Sequence, residues 1–144
     1  MFKATKEFKW DMAHRLPTHW GKCFNVHGHT YKALITIQWE HLQSEGEESW
    51  MLKDFWNFKP IKERIDENRD HAYVWIKDDE VLLFLKEKWF RTFSMDSNPT
   101  AENMTKLLFE KSRELIPNVD IDKILIYETP TSFAEYSATN ELPF

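Results

Sequence analysis

Phe2-Lys3-Ala4-Thr5-Lys6-Glu7-Phe8-Lys9-Trp10-Asp11-Met12, read FKATKEFKWDM, alternates on a period of two. Phe2, Ala4, Phe8, Trp10 and Met12 fall on one side; Lys3, Thr5, Glu7, Lys9 and Asp11 fall on the other. Successive side chains of an extended chain point to opposite faces, so this pattern predicts a half-buried strand. Residues 29–40 repeat it, with Tyr31, Ala33, Ile35, Ile37 and Trp39 against Thr30, Lys32, Thr36, Gln38 and Glu40, and Leu34 as the exception. Two long strands in succession predict an antiparallel pair within a larger sheet or barrel, with residues 13–28 as the connection.

Beyond that pair the periodicity changes. Gln43 to Ser49, QSEGEES, is a polar loop tip, and Pro60 opens a short amphipathic helix reaching about Asn68, with Ile61 and Ile65 inward. Residues 79–92 hold a further helical turn or two. Thr100 reads as the N-cap of a clear helix, with Glu102 in its first turn and Met104, Leu107, Leu108, Lys111 and Leu115 spaced for one face. Ile121 to Glu128 and Ser132 to Ala138 read as two closing strands joined near Pro130. The order β-β-α-α-β-β predicts an α+β domain with an antiparallel sheet.

The 144 residues suit a single domain, 1–144, large enough to fold without staples. The lone cysteine can close no internal disulfide, and no leader pattern stands at the start, so a reducing, cytoplasmic setting is expected. The longest apolar run, VLLFL at 81–85, is far short of a membrane span. A formal charge of −5 argues against nucleic acid as a partner, while a small anionic ligand needs only a few local cations.

The chemistry concentrates in Cys23-Phe24-Asn25-Val26-His27-Gly28-His29-Thr30. His27 and His29 are two apart and share a face, with Gly28 removing a side chain from the other face. A third imidazole, His14 at the end of the first strand, can come alongside from the paired neighbour. Three neutral imidazoles without an obvious fourth protein ligand describe an open, catalytic-type zinc site. Cys23 could instead close it as a structural His3Cys site, or, beside Lys22 and a dication, serve as thiolate base or nucleophile. Asp70-His71 has the form of a proton relay, although an adjacent Asp-His is more often a solvated helix end. Glu128 closes an apolar strand and needs a partner, such as a ligand with adjacent N–H donors. His19 and His41 read as surface histidines.

Six motifs run in order along most of the chain: Phe8-x-Trp-Asp-Met-Ala-His14-Arg-Leu-Pro, Lys22-Cys23-x-x-x-His27-Gly-His29-x-Tyr31, Asp54-Phe55, Asp70-His71-Ala-Tyr73, Pro99-Thr-Ala-Glu-Asn103 and Glu128-Thr-Pro-Thr-Ser-Phe-Ala-Glu-Tyr136. Together they resemble the 6-pyruvoyl-tetrahydropterin synthase / 6-carboxy-tetrahydropterin synthase (QueD) family. The resemblance implies the tunnelling fold (T-fold), with sheets of several subunits closing into a barrel. The implied assembly is a homohexamer, a dimer of trimers, with active sites at subunit interfaces. It implies Zn2+ on His14, His27 and His29, Cys23 as proton acceptor, and Asp70 and His71 as its relay. Glu128 would anchor the pterin, with Thr100 and Glu102 also on the substrate side. The implied substrate is 7,8-dihydroneopterin triphosphate. The ETPTSFAEY ending looks more like the bacterial branch, whose products are 6-carboxy-5,6,7,8-tetrahydropterin, acetaldehyde and triphosphate, on the way to queuosine. The pyruvoyl synthase reaction on the same substrate is the alternative, and a non-catalytic zinc or pterin binding module is a third reading from another class. Departures from the family pattern are Arg69 in place of leucine, Val74-Trp75 in place of Leu-Asn, Lys53 before Asp54, and a longer segment from Ile76 to Ser97.

Overall fold

A computed structural model describes residues 1–138. The two alternating stretches become β1 (Phe2–His14) and β2 (His27–Trp39), paired antiparallel along their full length from Phe2↔Trp39 to His14↔His27. Then come α1 (Lys59–Asn68), β3 (Ala72–Ile76), α2 (Glu80–Glu87), β4 (Thr92–Met95), α3 (Ala101–Leu115), β5 (Ile121–Thr129) and β6 (Ser132–Ser137). They build one six-stranded sheet in the order β4-β3-β1-β2-β5-β6.

The α+β class is as expected, and the sheet is richer than the expected order. β3 lies parallel to β1 through Met12↔Ala72 and Ala13↔Tyr73, and β4 lies parallel to β3, so the sheet is mixed. AYVWI in β3 is buried on both faces apart from its last residue, and a two-sided strand has no alternation to read. The extra length from Ile76 to Ser97 is spent on α2 and β4.

The main core lies between the sheet and helices α1 and α3. Phe8, Trp10 and Met12 of β1, Tyr31, Ala33, Ile35 and Ile37 of β2, and Ile124 and Ile126 of β5 face Ile61, Ile65, Met104, Leu108 and Phe109. Thr100 caps α3 as expected, its Oγ1 accepting from Asn103 N at 3.3 Å. The buried face of α3 is rotated from the expected one, consisting of Met104, Thr105, Leu108, Phe109 and Ser112, while Leu115 is 36% exposed. Phe109 and Ser112 continue the i, i+4 stripe from Leu108 and Thr105 that Lys111 and Leu115 leave. A second, smaller core of Tyr73, Trp75 and Leu82 lies on the other face of the sheet, under α2. Arg69 is 2% exposed; its Nε and Nη2 have no hydrogen-bond partner among the described residues, and its guanidinium lies over the Phe93 ring. No helix of the described residues is long and apolar enough to cross a membrane.

Candidate active site

The hairpin register builds the centre. His14 stands directly opposite His27, and His29 opposite Met12, so all three imidazoles project to the core face at one end of the pair. One ring nitrogen from each lies within 4.8 Å of the others, the one such group among the described residues. The ring centroids are 4.7 Å apart for His14 and His27, 5.4 Å for His14 and His29, and 5.0 Å for His27 and His29.

Hydrogen bonds fix the tautomers. His14 Nδ1 donates to the Pro99 carbonyl at 3.0 Å, and His27 Nδ1 to the Asn25 carbonyl at 2.7 Å. Each places the lone pair on Nε2, the arrangement by which backbone carbonyls orient metal-binding histidines. His27 Nε2 and His29 Nε2 are buried with no hydrogen-bond partner among the described residues. Burial lowers the pKa values of His14 and His29, with the Pro99 carbonyl and Glu128 opposing at His14 and Glu128 opposing at His29. Three imidazoles, two of them with orphaned Nε2 atoms, form a donor set that fits a divalent ion such as zinc.

Glu128 arrives from the end of β5. Its Oε1 is 3.8 Å from His29 Nε2 and its Oε2 4.0 Å from His14 Nε2, and its side chain keeps 28% exposure. Glu128 and His29 also border a cavity of about 350 Å³ whose other lining includes Lys9, Thr30, Lys32 and Tyr127, from the sheet face opposite the imidazoles. That volume is within the usual range of small-molecule sites. Tyr31, two residues beyond His29 on the same face, is fully buried with its hydroxyl 3.3 Å from His14 Nε2. Burial and Glu128 push its phenol well above the usual value, so it stays neutral. Tyr31 and the carbonyls of Pro99 and Asn25 are site components that sequence reasoning missed. The period-two continuation from His29 pointed at Tyr31, whereas nothing in a sequence announces a carbonyl acceptor.

Cys23 lies in a 3-10 turn, Lys22–Phe24, at intermediate burial, and the three-histidine group does not include it. Its carbonyl accepts from Leu16 N at 2.7 Å, which ties the turn to the end of β1. Thr100 is occupied as a helix cap, and Glu102 is exposed in the first turn of α3. Neither is among the residues lining the Glu128 cavity.

Asp70 and His71 form a pair as expected, His71 Nδ1 lying 2.9 Å from Asp70 Oδ1. Burial would raise the Asp70 pKa; the Asp11 N–H and the His71 ring outweigh it and hold the carboxyl below its ordinary value. His71 N donates to Asp11 O at 2.7 Å and Asp70 Oδ1 accepts from Asp11 N at 3.1 Å, so the pair is clipped to the edge of β1. His71 adopts a left-handed φ of 58°, an unfavourable conformation for a residue with a Cβ. His71 lines a groove of about 540 Å³ with Asp11, His29, Thr30, Phe90 and Arg91, of which Asp11 and Thr30 belong to the sheet face opposite that of the three imidazoles. His71 is thus not among the residues gathered at the three-histidine group. Gly28 lines this groove, and a Cβ there would come within 3.2 Å of the Met12 carbonyl.

Comparison with known proteins bears on this geometry. The sequence model of the family described as 6-pyruvoyl tetrahydropterin synthase matches residues 3–139. A 6-carboxy-5,6,7,8-tetrahydropterin synthase from Haemophilus influenzae is 38% identical over 141 residues, covering 94% of this chain and 99% of its own. One from Rickettsia felis is 33% identical over 144 residues, covering 94% and 99%. Among solved structures, an uncharacterized protein from Wolinella succinogenes superposes with a TM-score of 0.77 at 21% identity, covering 95% of this chain and 98% of its own. The 6-pyruvoyl tetrahydropterin synthase of Caenorhabditis elegans gives 0.70 at 24% identity, covering 95% of each chain. At those identities the two structures speak to fold alone.

Proposed function

The chain belongs to the 6-pyruvoyl tetrahydropterin synthase family and carries the α+β tunnelling fold, and from that premise we propose that it is a 6-carboxy-5,6,7,8-tetrahydropterin synthase. The whole chain, 1–144, acts as one domain. It converts 7,8-dihydroneopterin triphosphate and one water to 6-carboxy-5,6,7,8-tetrahydropterin, acetaldehyde and triphosphate. The choice of product follows the names of the Haemophilus and Rickettsia relatives. The observation that carries the chemistry is the pair of Nε2 atoms of His27 and His29, buried and without a hydrogen-bond partner among the described residues, beside His14 and Glu128.

His14, His27 and His29 would hold a zinc ion. Once bound, such an ion would supply Lewis acidity to the hydroxyl-bearing side chain of the substrate and acidify the neighbouring C–H. Glu128 accepts from adjacent N–H donors of the pterin ring and sets its orientation. Cys23 takes the proton from the side-chain carbon. Asp70 holds His71 with Nδ1–H toward its carboxylate, leaving Nε2 to move a proton in the opposite direction.

Because Asp70 and His71 are not among the residues gathered at the three histidines, they serve the site of a neighbouring subunit. The sheet offers the means. β1 pairs with β3 only at Met12 and Ala13 among the described residues, so residues 2–10 leave one edge open, and β6 is the sheet's other terminal strand. Unpaired edges invite pairing between chains. Closure of such edges into a barrel, doubled into a homohexamer, fits these features.

The test is Cys23→Ala assayed for zinc and product together. The expected outcome is unchanged zinc content with turnover reduced about 10²- to 10⁴-fold, the range of a lost general base. Zinc and stability lost together would overturn the assignment in favour of a closed His3Cys site. A diketo pterin formed by the wild type without acetaldehyde would assign the pyruvoyl reaction instead.

A further inference from the structure

Arg15 follows the first histidine of the cluster and points to the opposite sheet face, where α2 covers the smaller core. Its Nε and Nη2 both donate to Asp79 Oδ1, at 3.1 Å and 2.6 Å. The Asp79 side chain is 2% exposed and that of Arg15 13%. Asp79 Oδ2 in turn accepts from Leu82 N at 2.9 Å, which caps α2, and from the Tyr73 hydroxyl at 3.3 Å. A buried carboxylate with every lone pair engaged holds its arginine in one place.

The guanidinium so fixed lies 5.9 Å from the centroid of the Trp75 ring and 5.6 Å from that of Phe24. Phe24 is the residue after Cys23, in the same 3-10 turn. Residues 19–22, which lead into Cys23, are exposed, with Trp20 wholly in solvent. The turn is therefore held by the Leu16 N–H on the Cys23 carbonyl and by the Phe24 ring against Arg15.

We propose that Arg15 and Asp79 are positioning residues for Cys23: an ion pair under α2 sets the place of the cysteine turn relative to the histidine cluster through Phe24. This gives a role to the long Ile76–Ser97 segment, whose helix α2 has Asp79 as its cap. The proposal rests on the reading that Cys23 is the proton acceptor. A misplacement of about 1 Å in a reacting group can cost about 100-fold in rate.

Three variants test it in the zinc-loaded protein. Asp79→Asn keeps a capping side chain for Leu82 N–H and removes the charge that holds the guanidinium. Arg15→Lys keeps the charge and removes the planar stack. Phe24→Leu removes the ring from a half-exposed position outside both cores, so it decides the matter should either of the others fail to fold. Zinc content, kcat and KM are measured, together with the rate at which iodoacetamide alkylates Cys23, the chain's one cysteine. The expected result is unchanged zinc, kcat lower by about 10- to 100-fold with KM within about threefold, and an alkylation rate changed at least several-fold. The proposal is overturned if kcat and alkylation stay within about twofold of wild type, or if kcat falls only in proportion to zinc lost. Should the wild type release no acetaldehyde, the assigned reaction fails, and the alkylation comparison still decides the positioning claim.

Discussion

Arg69 is the residue whose burial most contradicts its chemistry. Desolvation, with Arg64 as a minor like-charge contributor, lowers its guanidinium to about 10 from an ordinary 12.5. Two of its nitrogens have no acceptor among the described residues, and a buried cation without an anion costs folding free energy. Arg69→Leu should therefore raise unfolding free energy by about 1–3 kcal/mol in urea denaturation at pH 7, the size of replacing an unpaired buried polar group by a fitting apolar one. The sign with pH follows from a base whose folded pKa is depressed. Wild type carries the full penalty at neutral pH and sheds it as pH climbs through about 10 toward the unfolded 12.5, so the variant's advantage should narrow there. At this scale the sequence was legible where periodicity applied: His14, His27 and His29 follow from a period of two and a hairpin register. It was silent where a contact is made by backbone, as at Pro99, or where tertiary burial overrides a charged residue's usual exposure, as at Arg69.

Strands and helices were read with unequal success for a physical reason. β1 and β2 bury one face and alternate, so their pairing could be anticipated; β3 buries both faces and leaves only a short apolar run. In α3 the helix was evident from its cap, while the direction of its buried stripe depended on what α1 and the sheet present to it. The observed stripe predicts that Leu108→Ala costs about 2–5 kcal/mol, whereas Lys111→Ala stays within about 0.5 kcal/mol, a contrast readable in paired denaturation curves. The segment between β2 and α1 is gathered by Glu48, which accepts from Gln43 at 2.6 Å, Lys53 at 3.0 Å, Asp54 N at 3.1 Å and Asn57 at 2.8 Å. Those donors, led by Gln43, hold its carboxyl down to about 2. A depressed carboxylate stabilises above its unfolded value near 4.5 and ceases to do so as pH falls toward 2. Glu48→Ala should accordingly speed amide exchange at Asp54 at pH 7, and the difference from wild type should fade in strong acid.

At the scale of the whole molecule, the proposed role of His71 in a neighbouring subunit's site would make activity a property of an assembly. Chains bearing Cys23→Ala and chains bearing His71→Ala should each be nearly inactive alone. If each site draws its cysteine from one subunit and its histidine from another, co-refolded equal mixtures should recover activity at about a quarter of the sites, by random assortment within a symmetric oligomer. Acetaldehyde release from the mixture measures the recovery, and a mixture as inactive as its components would place both residues in the same chain's site. The direct opposition of His14 and His27 carries one more consequence. A hairpin slipped by a single residue would turn His27 and His29 to the wrong side and leave no ion-holding pocket at all. If the cluster holds zinc as proposed, metal stoichiometry in a purified sample doubles as a quality assay: a fractional content at saturating metal would count the molecules whose first two strands zipped out of step.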